Sequence, residues 1–247
     1  QDRDSYLDRY STQRNVAYGV IEADVSENTL LTLGFTAHQN HSDGNNWGSL
    51  PLLYADGTKR HYNRSDSTAP DWSYWNVDTN ISFAELTHAF NNGWQLKSQL
   101  THKQADSDAR LHYIYGRENA TTGLGLYSYP GMYRTRTEDN VLDIHVNGPL
   151  QLAGRQQELV FGTTLSKAEV QDYARFGTIG TALSSFDSAA DFPLPTFGAE
   201  SKTADFTTRA MNTYTVARLN PADGLKFIIG SSLVSYDMQG ISYGVAQ

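Results

Sequence analysis

The sequence predicts an all-β chain, a single antiparallel sheet whose strands run up and down in chain order. Three observations carry this. Apolar and polar residues alternate with period two, the side-chain period of a strand, and no stretch shows helical spacing. Short and long connections alternate strictly along the chain. The alternating runs also exceed the ~5–6 residues usual for strands of globular proteins.

The alternation places about eight strands, near 14–25, 29–41, 72–88, 94–116, 134–146, 157–170, 206–218 and 225–239. The first is mixed, with Val16, Tyr18 and Val20 opposing Ala17, Ile21 and Val25. The second sets Leu31, Leu33, Phe35 and Ala37 against Thr32, Gly34, Thr36 and His38. The third sets Trp75, Val77, Ile81 and Phe83 against Asn76, Asp78 and Asn80. In the fourth, Trp94, Leu96 and Leu100 oppose Gln95, Lys97 and Gln99. Leu142, Ile144 and Val146 mark the fifth, and Leu159, Phe161 and Leu165 the sixth. The seventh, around Asn212, Tyr214 and Val216, is impure.

The connections sort by length. Those at Ser26-Glu27-Asn28, Ala89–Gly93, 147–156 and Asn220–Gly224 are short, and those at 42–71, 117–133 and 171–205 are long. In an up-and-down sheet every tight turn then lies on one rim and every long loop on the other. Outer-membrane β-barrels have this asymmetry, and a strand of ~9–11 residues crosses a bilayer when tilted. The expected architecture is therefore a segment of a transmembrane β-barrel, with short periplasmic turns and long extracellular loops. Leu31, Leu33, Phe35, Ile81, Phe83, Leu96, Leu142, Ile144 and Phe161 are expected to face lipid, and Asn76, Asp78, Gln95 and Lys97 the lumen. Trp75, Tyr74, Phe90, Trp94, Tyr214 and Tyr236 suit interfacial girdles. Three rivals share parts of this pattern: a passive porin, a small closed barrel acting as adhesin or anchor, and a soluble β-sandwich binding module.

Composition narrows the functions. The chain has 247 residues, with 39% hydrophobic, 19% charged and 12% aromatic. Low charge with many aromatics argues against disorder. The net charge is −8 and no basic stripe is visible, which argues against a nucleic-acid partner. There is no cysteine, so disulfides, thiolate metal sites and a cysteine nucleophile are excluded. No apolar run reaches the ~18 residues of a spanning helix. The polar start, Gln1-Asp2-Arg3-Asp4-Ser5, carries neither an initiator Met nor a signal peptide. No G-x-S-x-G elbow, phosphate-binding glycine loop or metal-ligand spacing occurs, so the chain reads as non-enzymatic, without cofactor or metal site.

Particular stretches carry a resemblance. Gly48-Ser49-Leu50-Pro51-Leu52, Ala55-Asp56-Gly57, Arg64-Ser65 and Trp72-Ser73-Tyr74-Trp75 follow one another in the first long connection and its flank. Leu86-Thr87-His88-Ala89-Phe90-Asn91-Asn92-Gly93-Trp94 and Leu159-Val160-Phe161-Gly162 follow later. The ordered set resembles the barrel of TonB-dependent outer-membrane ferric siderophore receptors, with the hydroxamate-type coprogen, ferrioxamine and pyoverdine receptors as the nearest subgroup. The resemblance covers nearly the whole chain. It implies that residues 1–247 are an early-to-middle part of a 22-stranded barrel in the bacterial outer membrane, with the plug domain absent. It also implies a ferric siderophore as ligand, energy from TonB through the plug, and iron that arrives already chelated.

A chelate needs an aromatic-rich, concave site with a few polar anchors. The long-loop rim carries such residues. Trp47, Tyr54, Trp72, Trp75, Tyr115, Arg117 and Tyr127 are the expected ligand-binding set, and Tyr113, Tyr129, Tyr133 and Arg134 share the same stretches.

Overall fold

The computed structural model describes residues 2–246. In chain order the strands are β1 (Asp2–Asp4), β2 (Ser11–Ser26), β3 (Thr29–Asp43), β4 (Tyr74–Ala89), β5 (Gln95–Gly116), β6 (Leu126–Leu152), β7 (Arg155–Phe176), β8 (Ser201–Ala222), β9 (Leu225–Ser242) and β10 (Val245–Ala246). They form one ten-stranded antiparallel sheet in sequential order, and the sole helical piece among the described residues is a 3-10 turn at Asp187–Ala189. A single sheet with no second layer rules out the sandwich.

The eight long strands match the eight expected, but they are longer, reaching 27 residues in β6. A strand of that length crosses a bilayer with more than half of it to spare. The expected loop 117–133 shrinks to 117–125, because Leu126–Tyr133 belongs to β6 and pairs with β5 as far as Leu126↔Gly116. Pro130 and Pro149 obscured this in the sequence. Each sits where a proline costs the sheet nothing. The Pro130 carbonyl accepts from Gly177 N, beyond the end of β7, and N and O of a strand residue point the same way, so no ladder donor is missed there. Pro149 lies past the start of β5, whose pairing stops at Gln95↔Asn147.

The tight turns share one rim: Glu27-Asn28, Phe90–Trp94, Ala153-Gly154 and Asp223-Gly224. Ala153 and Gly154 both have positive φ (54° and 72°), the primed turn whose twist suits a two-residue hairpin. The connections 44–73, 117–125 and 177–200 share the other rim.

Register assigns the two faces, because directly opposed residues in an antiparallel pair lie on the same side. One row crosses eight strands as Ile21, Leu33, Ala84, Leu100, Leu142, Leu165, Met211 and Ser235. This face is apolar yet uncovered: Leu33 is 45% exposed, Leu100 52% and Leu233 78%. An apolar band on strands long enough to cross a bilayer is a lipid-facing surface. The opposite face carries ion pairs, Lys97–Glu85 at 2.9 Å and Lys103–Asp139 at 3.3 Å. Asp143 accepts there from Thr164 Oγ1 at 2.6 Å and lies 3.0 Å from the His145 ring nitrogen.

Leu31, Leu33, Phe35, Leu96, Leu142, Ile144 and Phe161 fall on the apolar face as expected, and Gln95 and Lys97 on the charged one. The expectation for β4 is inverted. Phe83 pairs with Gly34 and Ile81 with Thr36, on the charged face, whereas Asn76 and Asp78 share the side of Leu86. The cause is local. Gly34 leaves a bare backbone on the charged face, and the Phe83 ring covers it so closely that a Cβ there would lie 2.1 Å from Phe83 Cε1. Tyr214 covers Gly162 in the same way and so is no girdle residue.

Candidate functional site

Above the apolar band, β5 and β6 run on together and carry aromatics on alternate positions. Tyr113 pairs with Tyr129, Tyr115 with Tyr127, and Ala109 with Tyr133. All share the parity of Lys97 and Lys103, so these rings stand on the charged face at the long-loop rim. Trp47 joins them from the first loop. Asn46 bridges in parallel to His112 on the edge that β4 leaves free. The chain then bends at Gly48, whose φ is +81° and whose ideal Cβ would lie 2.4 Å from the Tyr113 ring, so only glycine fits. The Trp47 ring centroid lies 6.0 Å from Tyr113, 5.9 Å from Tyr129 and 4.7 Å from Tyr133, edge-on in each case. Phe176 closes the cluster, 5.5 Å from Tyr129 and 6.0 Å from Tyr133.

These rings line an open cavity of about 1120 Å³ that extends to Asp172, Tyr173, Lys202 and Tyr243. Its size suits a ligand larger than an ordinary metabolite, and its walls offer aromatic faces for flat groups. Charge is sparse. The Lys202 ammonium lies 2.7 Å from Asp205 and 5.4 Å from the Tyr173 ring centroid.

The opposite side of the same hairpin is a packed loop core. Ile114 and Leu126, of the other parity, are buried with Leu183, Phe186 and Ala189, and Leu50, Tyr62 and Phe192 pack against them. Trp72 Nε1 donates to the Phe192 carbonyl at 2.7 Å, and the His112 ring stacks on Phe192 at 4.7 Å. Arg60 pairs with the buried Glu118, and its guanidinium lies 4.2 Å from the Phe186 centroid and 5.2 Å from that of Tyr54. Glu118 also accepts from Phe186 N at 2.9 Å, so one carboxylate ties all three long loops. Burial pushes the Tyr62 phenol up, partly offset by Arg60, and Tyr62 donates to the Pro51 carbonyl. Asp56, held down by hydrogen bonds from Thr58, shapes the exposed tip of the first loop.

The expected site residues therefore divide. Trp47 and Tyr115 line the cavity, and Tyr127 leans on Tyr115 with ring centroids 5.7 Å apart. Trp75 lies on the same face and donates to Ser107 Oγ at 2.9 Å. Tyr54 and Trp72 lie with the loop core on the far side of the wall, and Arg117 is exposed beyond the end of β5. Sequence reading missed Asp172, Tyr173, Phe176, Lys202 and Tyr243. The first four fell within or beside the stretch 171–205 read as loop, and Tyr243 lay past the last expected strand. A strand assignment through Phe176 is the signal that would have found the first three.

No family model matches the chain. It is 34% identical over 246 residues to the ferripyoverdine receptor of Pseudomonas aeruginosa, which covers 98% of this chain and 30% of that protein. It is 30% identical over 240 residues to the ferric-pyoverdine BN7/BN8 receptor of Pseudomonas putida, 94% of this chain and 29% of that protein. Among solved structures, that of P. aeruginosa FpvA with a heterologous pyoverdine and iron superposes with a TM-score of 0.90 at 32% identity, over 100% of this chain and 33% of that one. The chain thus spans about a third of the length of the proteins it matches. The barrel-wall fold and the likeness to siderophore receptors read from the sequence agree with these relatives.

Proposed function

We propose that this chain is a wall segment of an outer-membrane ferric siderophore receptor of the ferripyoverdine kind. The observation that carries the reading is the placement of the aromatic cavity: on the charged, lumen-side face, directly above the apolar band, at the rim that holds every long loop. A ligand arriving from outside meets aromatic surface there before the polar lumen. Trp47, Tyr115 and Tyr127 are the binding residues of the expected set that this geometry supports. Trp75 lies on the same face and serves as a flank.

The chain's own residues do no covalent chemistry in this reading. Aromatic faces hold the flat parts of the chelate, the siderophore keeps the iron, and no resident cofactor or metal takes part. Passage inward uses energy from TonB delivered through a plug, as the likeness to the receptors implies. The curated relatives are receptors, which supports a non-enzymatic role. A porin needs no such cavity, and an anchor needs no charged lumen.

The test is uptake. Cells lacking their own pyoverdine receptors, given the complete protein, should accumulate radiolabelled iron from a ferric pyoverdine, and lose this when TonB is deleted. Failure of a panel of ferric pyoverdines to support uptake, with the protein inserted in the outer membrane, would sink the reading.

A further inference from the structure

Asp172 is the one carboxylate among the described residues that line the cavity. It pairs with Thr135 across the β6–β7 ladder and lines the cavity wall. Its Oδ1 is buried without a hydrogen-bond partner among the described residues. A carboxylate oxygen shielded from water and left unpaired is costly, and proteins seldom keep one without a use. The backbone marks the same spot. The β7–β8 register slips opposite Asp172 and Tyr173, where β8 carries Thr203 as an extra residue, and the consecutive residues Lys202 and Thr203 both line the cavity there, where strict alternation would turn one of them away. Such irregularities re-aim side chains beside functional sites. The nearby cation is committed elsewhere, since the Lys202 ammonium is 2.7 Å from Asp205.

We propose that Asp172 is a specificity-determining anchor that receives a cationic hydrogen-bond donor, an ammonium or amidinium, carried next to a planar ring. The ring stacks in the tyrosine cluster of Tyr129 and Tyr133 while the donor pairs with the carboxylate. A charge-assisted hydrogen bond inside an aromatic wall is roughly twice as strong as a neutral one. The cavity therefore distinguishes an aromatic cation from its neutral isostere, which the rings alone do not. This rests on the cavity being a ligand site, as in the reading above, but does not depend on which siderophore is carried.

The experiment uses small probes, so its failure is separable from failure of siderophore uptake. Benzamidinium and benzamide are titrated against the complete protein in detergent, following tryptophan fluorescence, with wild type, Asp172→Asn and Asp223→Asn. Wild type should bind benzamidinium about tenfold tighter than benzamide, a gap of roughly 1.4 kcal/mol. Asp172→Asn, nearly isosteric, should close the gap, while Asp223→Asn, on the short-turn rim away from the cavity, should leave it. Heat-modifiable gel migration checks that each variant is folded. Equal binding of the two probes by wild type, or a gap that persists in folded Asp172→Asn, would overturn the proposal whatever siderophore uptake shows.

Discussion

Trp47 and Trp72 stand on one connection, and composition treats them alike. The structure separates them by the wall's own thickness: Trp47 packs on Tyr133 on the lumen side, and Trp72 donates to Phe192 in the loop core behind it. Nothing in the sequence distinguishes the two, because a loop has no period from which to read a face. Tyr115 stood on an expected strand, so parity with Lys97 and Lys103 gives its face, whereas Tyr127 lay in the stretch read as loop and is placed by its pairing with Tyr115. The division has consequences. Trp72→Ala removes the tie to 177–200, so limited proteolysis should cut that loop several times faster than in wild type, with ligand affinity changed far less than by Trp47→Ala. Glu118→Ala should act more strongly on the same loops. It strands Arg60 beside buried rings, and removing one partner of a buried pair costs about 3–5 kcal/mol. Hydrogen exchange should then rise together in 44–73, 117–125 and 177–200, since the carboxylate ties all three. Protection unchanged in two of the three would contradict a shared core.

At the scale of the strand, period-two patterning read the lipid side correctly for β3, β5, β6 and β7 and inverted it for β4. The inversion has a physical cause. Both faces of β4 are mixed, with Ile81 and Phe83 on one side and Ala84 and Leu86 on the other, so hydrophobicity alone sets no direction. What sets it is Gly34 in the neighbouring strand, whose gap the Phe83 ring fills. A substitution pair separates the alternatives. Leu33→Lys places a charge in lipid and should cost about 2–4 kcal/mol in equilibrium unfolding from bilayers. Phe83→Lys should lose its cover over Gly34 but keep its charge in a polar lumen, and so show no dependence on bilayer depth. A neutral cysteine series carrying spin labels gives the same answer: positions 33, 100, 142 and 165 should report lipid, and 83, 101 and 141 water. Lipid contact at position 83 would restore the original reading and undo the register argument.

The molecule as a whole is one sheet, and its buried apolar cluster among the described residues lies with the loops. Its lateral edges are met among the described residues only by the three-residue β1 and the two-residue β10, leaving most of β2 and β9 with a single neighbour. Edges of that length are aggregation-prone unless further wall closes them, which fits a chain spanning about a third of its relatives. The barrel architecture was legible because loop lengths sort by rim, a whole-chain property that survives errors of several residues at each strand end. The cavity was only partly legible, because it is assembled from five strands and the connections between them, and their shared face depends on register. The central claim, that this aromatic cavity receives the ferric siderophore, is tested most directly by titrating ferric pyoverdine into the complete protein and its tryptophan variants. Burying one indole face contributes about 1–3 kcal/mol, so Trp47→Ala should weaken binding roughly tenfold or more. Trp94→Ala, on the short-turn rim, should leave it within about twofold. If folded Trp94→Ala weakens binding as much as Trp47→Ala, the ligand does not sit in this cavity.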